Sequence, residues 1–258
     1  TINTCFIYNN TLQENLITLW DRSFAVLSNI IITDNSSTDV LNISGSNTSP
    51  LLENVIIAGN LCRALNSNGG NDYSLLFGTG LIMDNSGSAG IINNGSVNLS
   101  NLSVIENGEL SENDAEGFTI TESGILSLTE SNIFNNGTAI YNNNTSDIST
   151  AENNYWGHSS GPYHPTQNTP GQGDSLNLFT NIDPWLTEPN IDAPISPPTN
   201  VFKQVSGNDV TLVWDANLES DLAGYKVHYG DYTGYSYENN IDVGKVTSYT
   251  LTGVNIST

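Results

Sequence analysis

The chain has 258 residues, with five Lys or Arg against 27 Asp or Glu, for a formal net charge of −22. No basic stripe exists to neutralise phosphates or to dock on an anionic bilayer, and no apolar run reaches the ~20 residues of a spanning helix, which argues against a nucleic-acid partner and against membrane insertion. Asn occupies 38 positions, and together with Gly, Ser and Thr it weakens helical backbone and suits turns and strands. Cys5 and Cys62 form neither a disulfide framework nor a zinc spacing. The sequence opens at Thr1 without a charged-then-apolar leader, so any signal peptide is expected to have been removed or to lie upstream. The acidic, Lys-poor composition suits secretion.

From the first residues a repeat is visible. CFIYNN, IIITDN, VIIAGN, GLIMDN, LSVIEN and SNIFNN end at Asn10, Asn35, Asn60, Asn85, Asn107 and Asn136, in steps of 25, 25, 25, 22 and 29. Ile7, Ile32, Ile57, Ile82, Val104 and Ile133 each stand three residues before the Asn. A column of β-branched residues recurring once per repeat is what stacked parallel strands need, because each packs on its counterpart about 4.8 Å away. The Asn column is expected to be structural, since Asn tolerates left-handed backbone and stacked amides can bond along the column. Phe6, Ile31, Ile56 and Leu81 form a second, outward stripe that turns polar at Ser103 and Asn132. A missing N-terminal segment or a partner is expected to cover its apolar part.

The pattern resembles the right-handed parallel β-helix of pectate-lyase-like proteins and of many bacterial surface proteins, over about residues 1–186. The stretch from Ala151 to Leu186, AENNYWGHSSGPYHPTQNTPGQGDSLNLFTNIDPWL, is similar to the ending that follows the last coils of such proteins. The resemblance implies an all-β fold with a solenoid of about six to seven coils. Pro-rich residues 187–198 are expected to form a linker. Beyond them, strands are expected at Asp209–Trp214, Ala223–Tyr229 and Ser248–Leu251. Residues 199–258 resemble a fibronectin type III domain, with Trp214 at its core Trp, incomplete before its last two strands. The chain is therefore expected to be an internal piece of a longer protein.

Pectate-lyase-like enzymes use a basic residue and calcium-holding carboxylates, so the resemblance directs attention to those groups. The solenoid has only Arg22 and Arg63, which fall twelve and three residues after their ladder Asn and cannot stack as a pair. Glycoside hydrolysis needs two carboxyls about 5–5.5 Å or about 6.5–9.5 Å apart. Asp84 and Glu106 are the best stacked candidates, one layer apart, with Asp34 two layers below Asp84. They share a column with Asn9, Gly59 and Asn135, which reads as a polar turn before it reads as a catalytic site. Asp72, Asp114 and Glu116 fall in the longer segments 61–79 and 108–124, which are expected to bulge as loops. Tyr155, Trp156, His158, Tyr163 and His164 could form a sugar-stacking surface, or a cap that plugs the solenoid with Trp156 and Trp185. Asp215, Asn217, Glu219 and Asp221 place oxygen ligands at alternate positions, a pattern that suits calcium.

Two functions remain open. One is an extracellular or bacterial cell-surface stalk and binding module for adhesion or for a polysaccharide or surface glycan. The other is part of a polysaccharide lyase or glycoside hydrolase.

Overall fold

The computed structural model describes residues 1–70, 74–108, 116–195, 198–217, 219, 222–233 and 236–254. The chain divides into two compact units, residues 1–194 and 195–258. The division lies inside the Pro-rich stretch.

The first unit is a parallel β-solenoid of about six turns. Its strands are β1 (Ile2–Tyr8), β2 (Ile17–Leu19), β3 (Val26–Thr33), β4 (Asp39–Gly45), β5 (Leu51–Ala58), β6 (Arg63–Gly69), β7 (Ser74–Met83), β8 (Gly90–Ile105), β9 (Phe118–Thr129), β10 (Asn132–Phe134), β11 (Thr138–Asn142), β12 (Ser149–Thr150), β13 (Pro162–Tyr163), β14 (Gly173–Leu176) and β15 (Thr180–Asn181). Pairing runs β1-β3-β5-β7-β8-β9-β11-β14-β13, with β2, β4, β6 and β8 stacked alongside. The register is set by the aliphatic column: Ile7 pairs Ile32, then Ile57, Ile82 and Val104, and Val104 pairs Ile133. From Ile32 onward each member is at most 1% exposed. At about 25 cal/mol per Å² of apolar surface removed from water, such a column contributes only when coil stacks on coil. A single turn has nothing to bury it.

Bulk in one inward column is matched by its absence in the next. Phe77 is buried where Gly80 carries no side chain, and a Cβ on Gly80 would lie 2.4 Å from the Phe77 ring and 2.5 Å from the Val55 carbonyl oxygen. Interiors at crystal-like density accept a large ring only against such a vacancy.

Two corners of every coil share one backbone solution. Asn9, Asp34, Gly59, Asp84, Glu106 and Asn135 all have φ between 49° and 63°. So do Thr4, Asn29, Asn54, Thr79, Asn101 and Glu130, five residues earlier in each coil, at 52° to 56°. Left-handed backbone costs an ordinary L-residue about 1–2 kcal/mol, which is why Asn, Asp and Gly crowd these corners. Thr4, Thr79, Glu106 and Glu130 are held there by the coil stacking around them.

The expected loops at 61–79 and 108–124 are, where described, part of the coils: β6 and the start of β7 fall in the first, and β9 begins at Phe118 in the second. Asp72 and Asp114 lie outside the described residues. The first half of the expected linker also behaves differently. Asn190 N donates to Asn132 Oδ1 at 2.8 Å, Asn132 Nδ2 returns a bond to Asn190 O at 3.0 Å, and Ser103 Oγ donates to Pro194 O. This strap lies over the outward stripe at the fifth and sixth coils, where Ser103 and Asn132 are buried. The stripe is therefore covered at its polar end and at Leu81, which is 1% exposed. Its polar residues are the hydrogen-bond partners of the strap. Leu81, Met83, Ile105 and Phe134 form a second apolar cluster on this outer side, while Phe6 and Ile31 stay exposed.

The second unit holds an antiparallel three-stranded sheet, in the order β16 (Phe202–Ser206), β17 (Asp209–Val213), β20 (Ser248–Leu251), and a two-stranded one, β18 (Tyr225–Thr233) with β19 (Ser236–Gly244). Trp214 is 5% exposed and meets Tyr225 edge-on at 5.3 Å. No helix among the described residues is long and apolar enough to cross a membrane.

Candidate functional site

The asparagine ladder is continuous. Asn10, Asn35, Asn60, Asn85 and Asn107 each donate Nδ2 to Oδ1 of the Asn one coil on, at 2.9 to 3.1 Å. The same Oδ1 accepts the backbone N–H of the preceding Asn at 3.0 to 3.3 Å. Nδ2 also donates to the carbonyl of the aliphatic residue one coil back, as Asn60 does to Ile32 O at 3.1 Å. Each buried amide thus satisfies its own polar atoms together with a corner of backbone.

All these bonds point one way, so donors are left over at the far end. Asn136 presents N and Nδ2, and Asp174 Oδ2 accepts both, at 2.9 and 3.1 Å. A carboxylate accepts without needing to donate onward, and so it closes the column. Burial raises the Asp174 pKa from 3.8 to about 6, aided by the charge of Glu116 and opposed by hydrogen bonds from Asn136 and Asn135. Sequence inspection misses Asp174, because it stands 38 residues after Asn136, outside the repeat. Glu116 is placed nearby with Oε2 accepting Thr138 N at 2.9 Å.

Asp84 and Glu106 do fall in adjacent coils, since Met83 pairs Ile105. Both occupy left-handed corners, and their backbone amides donate to Ile105 O and Phe134 O. The turn fixes their backbone, and Asp84 is exposed and Glu106 half-buried. Arg63 donates to Asp39 Oδ1 at 3.1 Å, and Asn66 Nδ2 satisfies Oδ2 at 2.9 Å, so this cation neutralises a buried carboxylate within the coil wall. Arg22 is exposed, at a left-handed corner.

The aromatic and His group divides. Trp156 is fully buried in the main core, and Trp185 packs against that core with Gly161 so close that a Cβ would sit 2.6 Å from its ring. Neither Trp156 nor His164, 1% exposed, offers a face to solvent; these residues build the end of the solenoid. Tyr163 is exposed, and Tyr155 and His158 are half-buried. His158 Nδ1 accepts Ser160 N at 3.1 Å, and His164 Nδ1 accepts Thr166 N and Gln167 N at 3.2 and 3.1 Å. The two rings are each tied into their own turn. Burial lowers the His164 pKa, against a hydrogen bond to the Thr180 backbone.

Beside His164 a cleft of about 480 Å³ opens at the end of the solenoid, lined by Ile148, Thr150, Thr166, Gln167 and residues 178–181. Sequence inspection misses it, because its walls come from separate turns.

In the second unit, Asp215 accepts from Asn200 Nδ2 at 2.7 Å, Asn217 N donates to the Tyr225 hydroxyl at 2.8 Å, and Asn217 Nδ2 lies 3.4 Å from Glu219 Oε2. Asp221 lies outside the described residues. Among the described residues no group of three or more His, Cys, Asp or Glu is placed to hold a metal ion. Comparison with models of protein families, with curated proteins and with solved structures finds no match.

Proposed function

We propose that the chain is a secreted or cell-surface bacterial protein whose solenoid acts as a rigid stalk and glycan-binding or adhesion module. The observation carrying this reading is that the buried charged groups of the solenoid serve the fold. Arg63 neutralises Asp39 and Asp174 terminates the ladder, while Asp84, exposed, and Glu106, half-buried, stand at left-handed corners of adjacent coils. General acid–base chemistry needs such groups to face a substrate instead. A regular stack with a continuous internal hydrogen-bond column is suited to holding a surface at a fixed distance.

The second unit fits a fibronectin type III-like module serving as a spacer. Supporting this are the order β16-β17-β20, the separate β18-β19 pair, and Trp214 packed on Tyr225. A net charge of −22 favours neutral glycans over polyuronates unless calcium intervenes.

The test is incubation of the whole chain with neutral and acidic polysaccharides, with and without calcium, following co-sedimentation, new reducing ends and unsaturated-uronate absorbance. Co-sedimentation without products is the expected result. Release of products would overturn the reading in favour of a lyase or hydrolase.

A further inference from the structure

We propose that the cleft at the end of the solenoid, between β12, β15 and the turn at His164–Asn168, is a binding site for a neutral sugar residue of a glycan; this rests on the glycan-binding reading above and gives it a place.

The cleft, about 480 Å³, falls within the roughly 300–1,000 Å³ of small-ligand sites, which combine apolar walls with a few fixed polar groups. Ile148, Leu178 and Phe179 supply the apolar wall, and all three are exposed, at 67%, 41% and 40%. Thr150 and Thr166, both exposed, bring hydroxyl groups to the same walls. Among the described residues, no Asp, Glu, Lys or Arg lines the cleft. A pyranose ring offers the complement, an apolar C–H face with hydroxyls around its edge and no charge. A uronate or a basic peptide would find no counter-charge on these walls.

The apolar wall is firmly formed. Phe179 has φ 68°, a conformation that is an outlier for a bulky side chain and that persists only where surroundings impose it. Here Asn142 Nδ2 and Ser149 N both donate to the Phe179 carbonyl oxygen, at 2.7 and 3.1 Å. They lock the peptide and keep the ring on the cleft wall. The opposite wall is equally fixed. Gln167 Nε2 donates to Thr180 O at 2.7 Å and Gln167 Oε1 accepts Ile182 N at 3.1 Å, so the turn is clamped onto β15. A rigid platform avoids the ordering cost of binding.

The experiment is isothermal titration of the whole chain with cellohexaose, xylohexaose and mannohexaose, with trigalacturonate as the anionic control. At least one neutral oligosaccharide is expected to saturate the protein, and the anionic one is not. Phe179→Gly removes the ring at a backbone angle glycine adopts freely and should raise Kd about tenfold. Thr150→Val keeps the shape and removes only an exposed hydroxyl of the wall, so it should weaken binding about fivefold without lowering the melting temperature. A purely structural hydroxyl would leave Kd unchanged. Binding by both variants at wild-type affinity, with co-sedimentation intact, would overturn the cleft and leave the glycan-binding reading standing. Absence of binding by the wild-type chain in titration and sedimentation alike would overturn both.

Discussion

Replacing Asp174 by Asn changes the end of the ladder without changing its shape. In the folded chain the Asp174 carboxyl titrates at about 6 instead of 3.8, because burial disfavours its charge. The folded state therefore binds this proton more tightly than the unfolded state between those values. The contribution of Asp174 is fully present below pH 3.8 and is lost as pH rises through 6. A difference of about 2.2 in pKa, at about 1.36 kcal/mol per pH unit, corresponds to about 3 kcal/mol, of which about 2–3 kcal/mol is lost between pH 4 and pH 7.5. The amide introduced by Asp174→Asn keeps an oxygen for Asn136 N and Nδ2 and cannot ionise. Urea denaturation at both pH values, on wild type and Asp174→Asn, isolates the effect, since the remaining carboxylates cancel in the double difference. The wild-type chain should lose about 2–3 kcal/mol more than the variant across this interval. In parallel, the ¹³C carboxyl shift of Asp174 should titrate near pH 6. Identical pH profiles for the two chains would refute the argument that the ladder ends on a destabilised carboxylate.

Other outcomes follow from the same geometry. Asn60→Ala leaves Asn35 N without its acceptor, takes one acceptor from Asn35 Nδ2 and removes the donor to the Ile32 and Ala58 carbonyls, and should cost about 3 kcal/mol or more by urea denaturation, whereas Asn10→Ala at the exposed end should cost about 1 kcal/mol or less. Gly80→Ala forces a methyl against the Phe77 ring and the Val55 carbonyl and should cost about 1–3 kcal/mol, partly restored by Phe77→Leu. His164 is held neutral by burial, so its imidazole should titrate below 6.5 by NMR. Its contribution to stability is present above pH 6.5 and is lost as pH falls through the depressed value, opposite in sign to Asp174. Phe6→Ser with Ile31→Ser, on the exposed part of the outer stripe, should reduce any self-association seen in light scattering.

The solenoid is legible in the sequence because its register is written in β-branched residues that must stack, and the Asn column because only that side chain serves both a corner and a ladder. The preceding corner, five residues before each Asp, Gly or Asn corner, is not: Thr79 and Glu130 hide it among residue types that seldom take left-handed backbone. In the second unit the strands at 209–213, 225–233 and 248–251 carry alternation that can be read. β16, exposed along its length, and β19, rich in Asn and Asp, do not, although Gly207 at φ 60° marks the turn between β16 and β17. The end of the first unit is the hardest part. Asp174, the strap at 188–194 and the cleft all depend on contacts between segments without periodicity. Trp156 and His164 draw attention by type, while the exposed Ile148, Leu178 and Phe179 line the cleft without a motif to mark them.

The spacing between corners has a consequence for how such a chain can change. From each left-handed residue of the first corner to the ladder Asn is six residues in every coil, Thr4 to Asn10 through Glu130 to Asn136. From a ladder Asn to the next first corner the distance is 19 for Asn10 to Asn29, Asn35 to Asn54 and Asn60 to Thr79, then 16 to Asn101, 23 to Glu130 and 17 to Asn153. One arc of the coil therefore behaves as an invariant spine, and the other tolerates insertion and deletion. Sequence drift and grafted segments can be absorbed on that permissive arc while the spine keeps its count, so diversity in what the surface displays need not disturb the element that holds it together.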